Sequence, residues 1–184
     1  MNNNVVRFIT RTAVLLALTV LFQSLRSIIP MPAQVSQYVV GSLVNLSLII
    51  AAVVVGIKGG LIISVAAPII AYFQGQLPQI MPFMIVAVAL GNAVIVIMVG
   101  LFYNKNKYVA LISGAVLKFI TLYIAVIKIV LPFIYPNVPD QAKALLSVNF
   151  SWPQLVTASI GGLLALIVIP MVDRAFRLDR GNKL

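Results

Sequence analysis

This sequence predicts an all-α, polytopic membrane protein, on three observations. Hydrophobic residues make up 62% of the 184-residue chain and charged residues only 9%, against about 25% charged in a soluble domain. Mean hydropathy is +1.12. The apolar residues fall into six runs parted by short polar, proline- or glycine-marked links, and a helix needs roughly 20 such residues to cross a bilayer. The expected architecture is a six-helix transmembrane bundle with both termini cytoplasmic, a single domain over 1–184.

The first 11 residues are polar and basic, and no convincing small-residue cleavage site follows the first apolar run. Span one has its core at 12–25 and extends towards Ile29, where Pro30 stops it. Residues 30–38 form a loop or short re-entrant segment that ends in Gln34, Gln37 and Tyr38. Span two covers 39–57, and 56–60, with three glycines, is a tight connection. The run at 61–73 is too short for a straight crossing and carries Pro68, so a short, tilted, broken or re-entrant helix is expected. Residues 74–79 are a polar loop with Gln74, Gln76 and Gln79. Span four covers 80–103, span five 108–134, and span six 152–172. A proline- and asparagine-rich loop occupies 135–151, and 173–184 is a basic tail.

Charge sets the orientation. With six spans, Arg7, Arg11, Lys58, Lys105, Lys107, Arg174, Arg177, Arg180 and Lys183 share one side, nine of the thirteen basic residues. Short loops rich in Lys and Arg stay cytoplasmic. The net charge of +10 is therefore topological; the basic residues are scattered between spans and form no nucleic-acid face.

Cysteine and histidine are both absent, and the three acids, Asp140, Asp173 and Asp179, stand outside the apolar runs or at their ends. Thiol nucleophiles, the commonest general base and the commonest metal ligands are thus missing. Paired carboxylates within the membrane are missing too. An enzyme is excluded on these grounds; no metal or cofactor is expected.

The unusual span is 108–134, which carries Lys118 and Lys128. Gly114, Lys118, Thr121, Ala125 and Lys128 follow steps of four, three, four and three, one stripe of a helix. A mid-membrane lysine costs about 2.5–3.5 kcal/mol and marks a functional site by default. The plainer alternatives are that Lys128 snorkels to the outer interface and Lys118 meets a backbone carbonyl. Other polar groups gather towards the same outer side: Tyr38 and Asn45 on span two, Asn92 within span four, the glutamines of 74–79, and Asn149 and Trp152 where span six begins. Taken singly, these residues also suit an interfacial aromatic belt, solvated loops or interhelical hydrogen bonds. Their convergence beside Arg26 and two lysines points to an outward cavity for a small polar, anionic molecule.

Ala13 and Ala17 lie four apart on span one, a spacing that lets another helix approach closely. With this pair, about six spans, a basic cytoplasmic end and the extended segment after span one, the chain resembles, over essentially its whole length, the substrate-binding S components of energy-coupling factor transporters. The resemblance implies a subunit that takes a vitamin or related micronutrient from outside and topples in the membrane to release it. It also implies partners, namely a transmembrane coupling subunit docking at Ala13 and Ala17 and two cytoplasmic ATPases, since this chain has no Walker motif. Substrate would be held by the outer loops and by spans four to six. Members for thiamine would want buried acids and aromatics, and members for nickel or cobalt an amino-terminal histidine; neither set is present. Lys118, Lys128 and Arg26 favour pantothenate, with flavin, folate, pyridoxine-type and cobalamin-type substrates open.

Two other classes compete. A solute-free structural or assembly protein would pair Asn45, Asn92 and Lys118 among themselves and leave no cavity. A channel would need a polar stripe through the whole membrane, whereas polar groups thin out towards the cytoplasmic half.

Overall fold

A computed structural model describes residues 3–181; Lys183, counted above on the basic side, lies outside them. The described residues form α1 (Asn3–Ile28), α2 (Ala33–Val54), α3 (Ile57–Phe73), α4 (Phe83–Phe102), α5 (Lys107–Leu122), a π-helical continuation of α5 (Tyr123–Ile134), α6 (Asp140–Asn149) and α7 (Trp152–Gly181). There is no strand among them. Five segments are long and apolar enough to span a membrane, and α3 supplies the sixth crossing. At 17 residues, α3 rises only about 25 Å. It runs unbroken through Pro68, so of the forms expected there it is the short helix and not the broken one.

The links are shorter than the sequence suggests. Pro32 caps α2 with φ −51° and ψ 139°, and the helix starts at Ala33, so Gln34, Gln37 and Tyr38 are helical. Proline fixes φ where a first turn needs it and lacks only an N–H that would be unpaired there. Between α2 and α3 the turn is made by Val55 and Gly56, the glycine at φ +94°, where a side chain would be strained. Gly59 and Gly60, expected in the link, belong to the first turn of α3, where they pack on Val55, Thr12 and Val96. Asn106 caps α5 by accepting from the backbone N–H groups of Tyr108 and Val109 at 3.0 and 3.1 Å. The expected loop at 135–151 contains α6, tied by Lys143 to the Pro136 carbonyl at 2.7 Å and to Asp140 at 3.7 Å. The described part of the basic tail continues α7.

The central helix is α2, buried along its length and packed against α1, α3, α4 and α7. Its seam with α7 is closest at Gly161, where an added Cβ would stand 2.8 Å from the Ser42 carbonyl oxygen and 3.0 Å from the Leu46 nitrogen. Apolar packing falls into two bodies. Leu48, Ile49, Ile63, Ile95, Val96, Val99 and Ala165 fill the half of the bundle nearer the termini, each 0% exposed. Met81, Met84, Leu122, Val126, Val130, Leu146 and Phe150 join α4, the π segment and α6 towards the opposite face. The polar site lies where the first body ends.

Candidate functional site

On the face opposite the termini, the bundle opens into a cavity of about 1540 Å³ between α1, α2, α6, α7 and the α3–α4 loop. Ordinary small-molecule sites hold roughly 300–1,000 Å³, so this one is a pocket with a vestibule. Its floor is Lys118. That side chain, 4% exposed, donates from Nζ to Asn45 Oδ1 at 2.6 Å and to Asn92 Oδ1 at 2.8 Å. The three residues come from α5, α2 and α4. Asn45 Nδ2 then reaches Thr157 Oγ1 on α7 at 3.4 Å, and Thr157 Oγ1 donates to the Gln154 carbonyl at 3.2 Å. Asn45 lies 12 residues into α2, so the floor is about 18 Å below that helix's start, near mid-membrane.

An ammonium has three N–H groups. Two are committed to amide oxygens, which carry only partial charge, and one remains for an occupant. No Asp or Glu lines the cavity, whereas a second cation, exposed Arg26, stands at its mouth. Charges of one sign in a low-dielectric cleft draw in ligands of the other.

Higher up, Val40, Val44, Val88 and Leu122 form apolar wall, and Tyr38 and Trp152 face each other at 6.0 Å between ring centroids. The mouth is rich in amides. Gln37 Nε2 and Gln154 Nε2 both donate to the Asn149 carbonyl at 2.9 Å, closing the α6–α7 turn onto α2. Gln76 Nε2 donates to the Gln23 carbonyl at 2.6 Å and to Gln74 Oε1 at 2.9 Å, and Gln74 Nε2 to Ser24 Oγ at 3.0 Å. These bonds stitch the α3–α4 loop to α1.

Ten of the residues singled out in the sequence line this cavity: Gln34, Gln37, Tyr38, Asn45, Gln76, Gln79, Asn92, Lys118, Asn149 and Trp152. Three stand apart from it. Gln74 is exposed and holds the loop. Thr121 is half-buried beside the wall, and Lys128 is exposed, its Nζ 5.8 Å from the Tyr123 ring centroid. The reason lies in the helix. From Tyr123 the turn widens to π geometry, and the buried line runs Gly114, Lys118, Leu122, Val126, Val130, in steps of four throughout. The stripe that would have carried Lys128 inward does not continue past Tyr123, whereas Thr121, still within α5, lies to one side of the buried Lys118 and Leu122.

Gln23, Ser36, Gln154 and Thr157 line the cavity without having been singled out. A signal for Gln23 was available, because Thr12, Thr19 and Gln23 recur at steps of seven and four and are the buried stripe of α1. Among the described residues, no group of three His, Cys, Asp or Glu side chains could hold a metal ion. Ala13 and Ala17 are both exposed on α1, on the side turned away from the bundle.

Fold and cavity together define a multi-pass α-helical membrane protein with a chamber open at one face. A family model described as "ECF transporter, substrate-specific component" matches residues 7–172, and the chain belongs to that family. It is therefore a substrate-binding transporter subunit and not an enzyme, and it works with the transport module of that system. No curated protein or solved structure matches the chain.

Proposed function

We propose that this subunit captures a small, water-soluble organic anion of the vitamin class from outside the cell, pantothenate being the favoured candidate. It would deliver the load through a transmembrane coupling subunit driven by two cytoplasmic ATPases in a prokaryotic plasma membrane, docking by the Ala13–Ala17 flank. One observation carries the choice of an anion: the buried Lys118 ammonium has two neutral amide oxygens as partners and no carboxylate anywhere in its cavity. An uncompensated charge at that depth is costly, and an entering carboxylate or phosphate would relieve the cost while gaining a charge-assisted hydrogen bond. The absence of acids in the lining disfavours a cationic vitamin for the same reason.

A solute-free bundle would also pair Lys118 with Asn45 and Asn92, and that pairing is present. Such a protein has no use for a chamber leading to the pair. The deciding experiment is native mass spectrometry of protein purified in mild detergent. An organic anion that accompanies the wild type and is lost from Lys118→Ala supports the proposal; an empty wild type or a neutral or cationic companion overturns it.

A further inference from the structure

Hydrogen-bond direction gives the chamber a polarity along its depth. At the floor, the unused capacity is a donor, the third N–H of Lys118. Nearer the mouth the polar groups are mostly neutral amides whose oxygens are unspent. The amide nitrogens of Gln23, Gln37, Gln76 and Gln154 all donate to carbonyl oxygens of the protein: Ala67 at 3.3 Å, Asn149 twice at 2.9 Å, Gln23 at 2.6 Å and Gln74 Oε1 at 2.9 Å. These partners fix which end of each amide is nitrogen, because a flipped amide would set oxygen against oxygen. What the glutamines have left is every Oε1 acceptor and, on Gln23, Gln37 and Gln154, one N–H each, whereas Gln76 has both of its N–H groups committed. Gln23 Oε1, buried in the lining, has no partner among the described residues.

We infer that the chamber holds its ligand in one direction, with the anionic group down on Lys118 and hydroxyl or amide N–H donors up against the glutamine oxygens. The two zones are separated by reach. Gln154 is one turn above Thr157 on α7, and Gln37 is eight residues before Asn45 on α2, about 12 Å of helix rise. Between them lies the apolar wall of Val40, Val44 and Val88. The ligand class that fits is an elongated hydroxylated or amide-bearing carboxylate with an aliphatic middle. A compact inorganic anion would leave the glutamine oxygens unmet, and a molecule with acids at both ends would place its second charge among neutral amides with no buried cation to match it. Arg26, exposed at the mouth, adds to the attraction of an anion from outside.

This inference rests on the anion reading, and the test separates the two. The probes are pantothenate, its alcohol, in which the carboxylate becomes CH2OH, and its dideoxy analogue, titrated calorimetrically against purified full-length protein in nanodiscs. In the wild type the alcohol should bind more than about tenfold weaker and the dideoxy compound about fivefold weaker. In Lys118→Met the alcohol penalty should vanish and the dideoxy penalty persist. In Gln37→Leu and Gln154→Leu the pattern should be the opposite. Exchanged assignments, with the hydroxyl penalty vanishing in Lys118→Met, or no dideoxy penalty in the wild type, overturn the orientation and leave the anion reading standing. An alcohol that binds as tightly as the acid overturns both. If none of the three binds, the inference fails and the co-purified species decides the anion reading alone. Should the glutamine variants fail to fold, a photo-reactive group on the hydroxyl end decides in the wild type. Labelling within 34–38 or 152–154 supports the orientation, and labelling within 88–92 or 115–118 overturns it.

Discussion

Lys118 Nζ and Asn45 Oδ1 are joined at 2.6 Å, and this bond ties α5 to the central helix at the level where the packed half of the bundle gives way to the chamber. Asn45 passes the link on to Thr157, so helices far apart in sequence are fixed to one another by a polar chain at mid-membrane. The same chain presents the only buried charge in the chamber lining, so packing and recognition share these atoms.

Lys118→Ala removes the charged donor. A hydrogen bond to a charged group is worth about 1.5–3 kcal/mol, so affinity for the anion should fall by roughly 10- to 150-fold. Calorimetry on the purified variant checks this, and unchanged affinity would remove Lys118 from the site.

Asn45→Asp is a sharper test because it changes charge at nearly constant shape. The new carboxylate would sit within hydrogen-bond distance of the ammonium and neutralise it before any ligand arrives. It would also repel the ligand's own charge, by about 1–4 kcal/mol at 4 Å for effective dielectrics between water and protein surface. Anion binding should be lost about tenfold or more while the protein stays folded; retained binding would count against direct charge pairing.

The α2–α7 seam provides a stability prediction with an internal control. A side chain at Gly161 meets the backbone of α2, whereas one at Gly162 meets only Leu111, at 3.6 Å and beyond. Gly161→Val should cost about 1–3 kcal/mol through overpacking and lower the melting temperature in detergent. Gly162→Ala should leave it nearly unchanged. Equal effects would mean the helices do not approach as described.

Bulky replacements on the outer flank of α1 separate binding from transport. Ala13→Trp and Ala17→Trp sit on exposed positions away from the chamber, so solute affinity should be that of the wild type. Uptake by cells carrying the coupling module should fall to background. Normal uptake would discredit the docking assignment.

Orientation can be read chemically, because the chain contains no cysteine. A cysteine at Gln141, at the start of α6, should react with a membrane-impermeant maleimide in intact cells. One at Asn104, in the link before α5, should react only after permeabilisation. The reverse pattern would invert the topology.

The six crossings were legible because apolar runs and proline or glycine marks report directly on burial in lipid. Errors arose where one residue type serves two ends. Gly59 and Gly60 read as turn residues, but they are small surfaces at a helix contact, a distinction that depends on Val55, Thr12 and Val96 being there. Pro136, Asn137 and Pro139 read as loop, which hid the ten-residue α6 between two such signals. The stripe through Lys118 already passes to one side of Thr121 within α5; past Tyr123 the wider winding also turns Lys128 outward, and nothing in local composition announces it. Lys118, Asn45 and Asn92 could be singled out because each is expensive in a bilayer. Thr157 and Gln154 could not, since an ordinary threonine or glutamine near a helix end has no such cost to explain.

Beneath Lys118, Leu48, Ile49, Ile63 and Ile95 leave no accessible surface. If the chamber is the binding site, as proposed, solute enters and leaves by the one mouth above this packed layer. On that proposal, net movement depends on how the mouth is re-presented to the other compartment, and the amount of cargo crossing is set by the partner's cycle and not by a gradient along a pore.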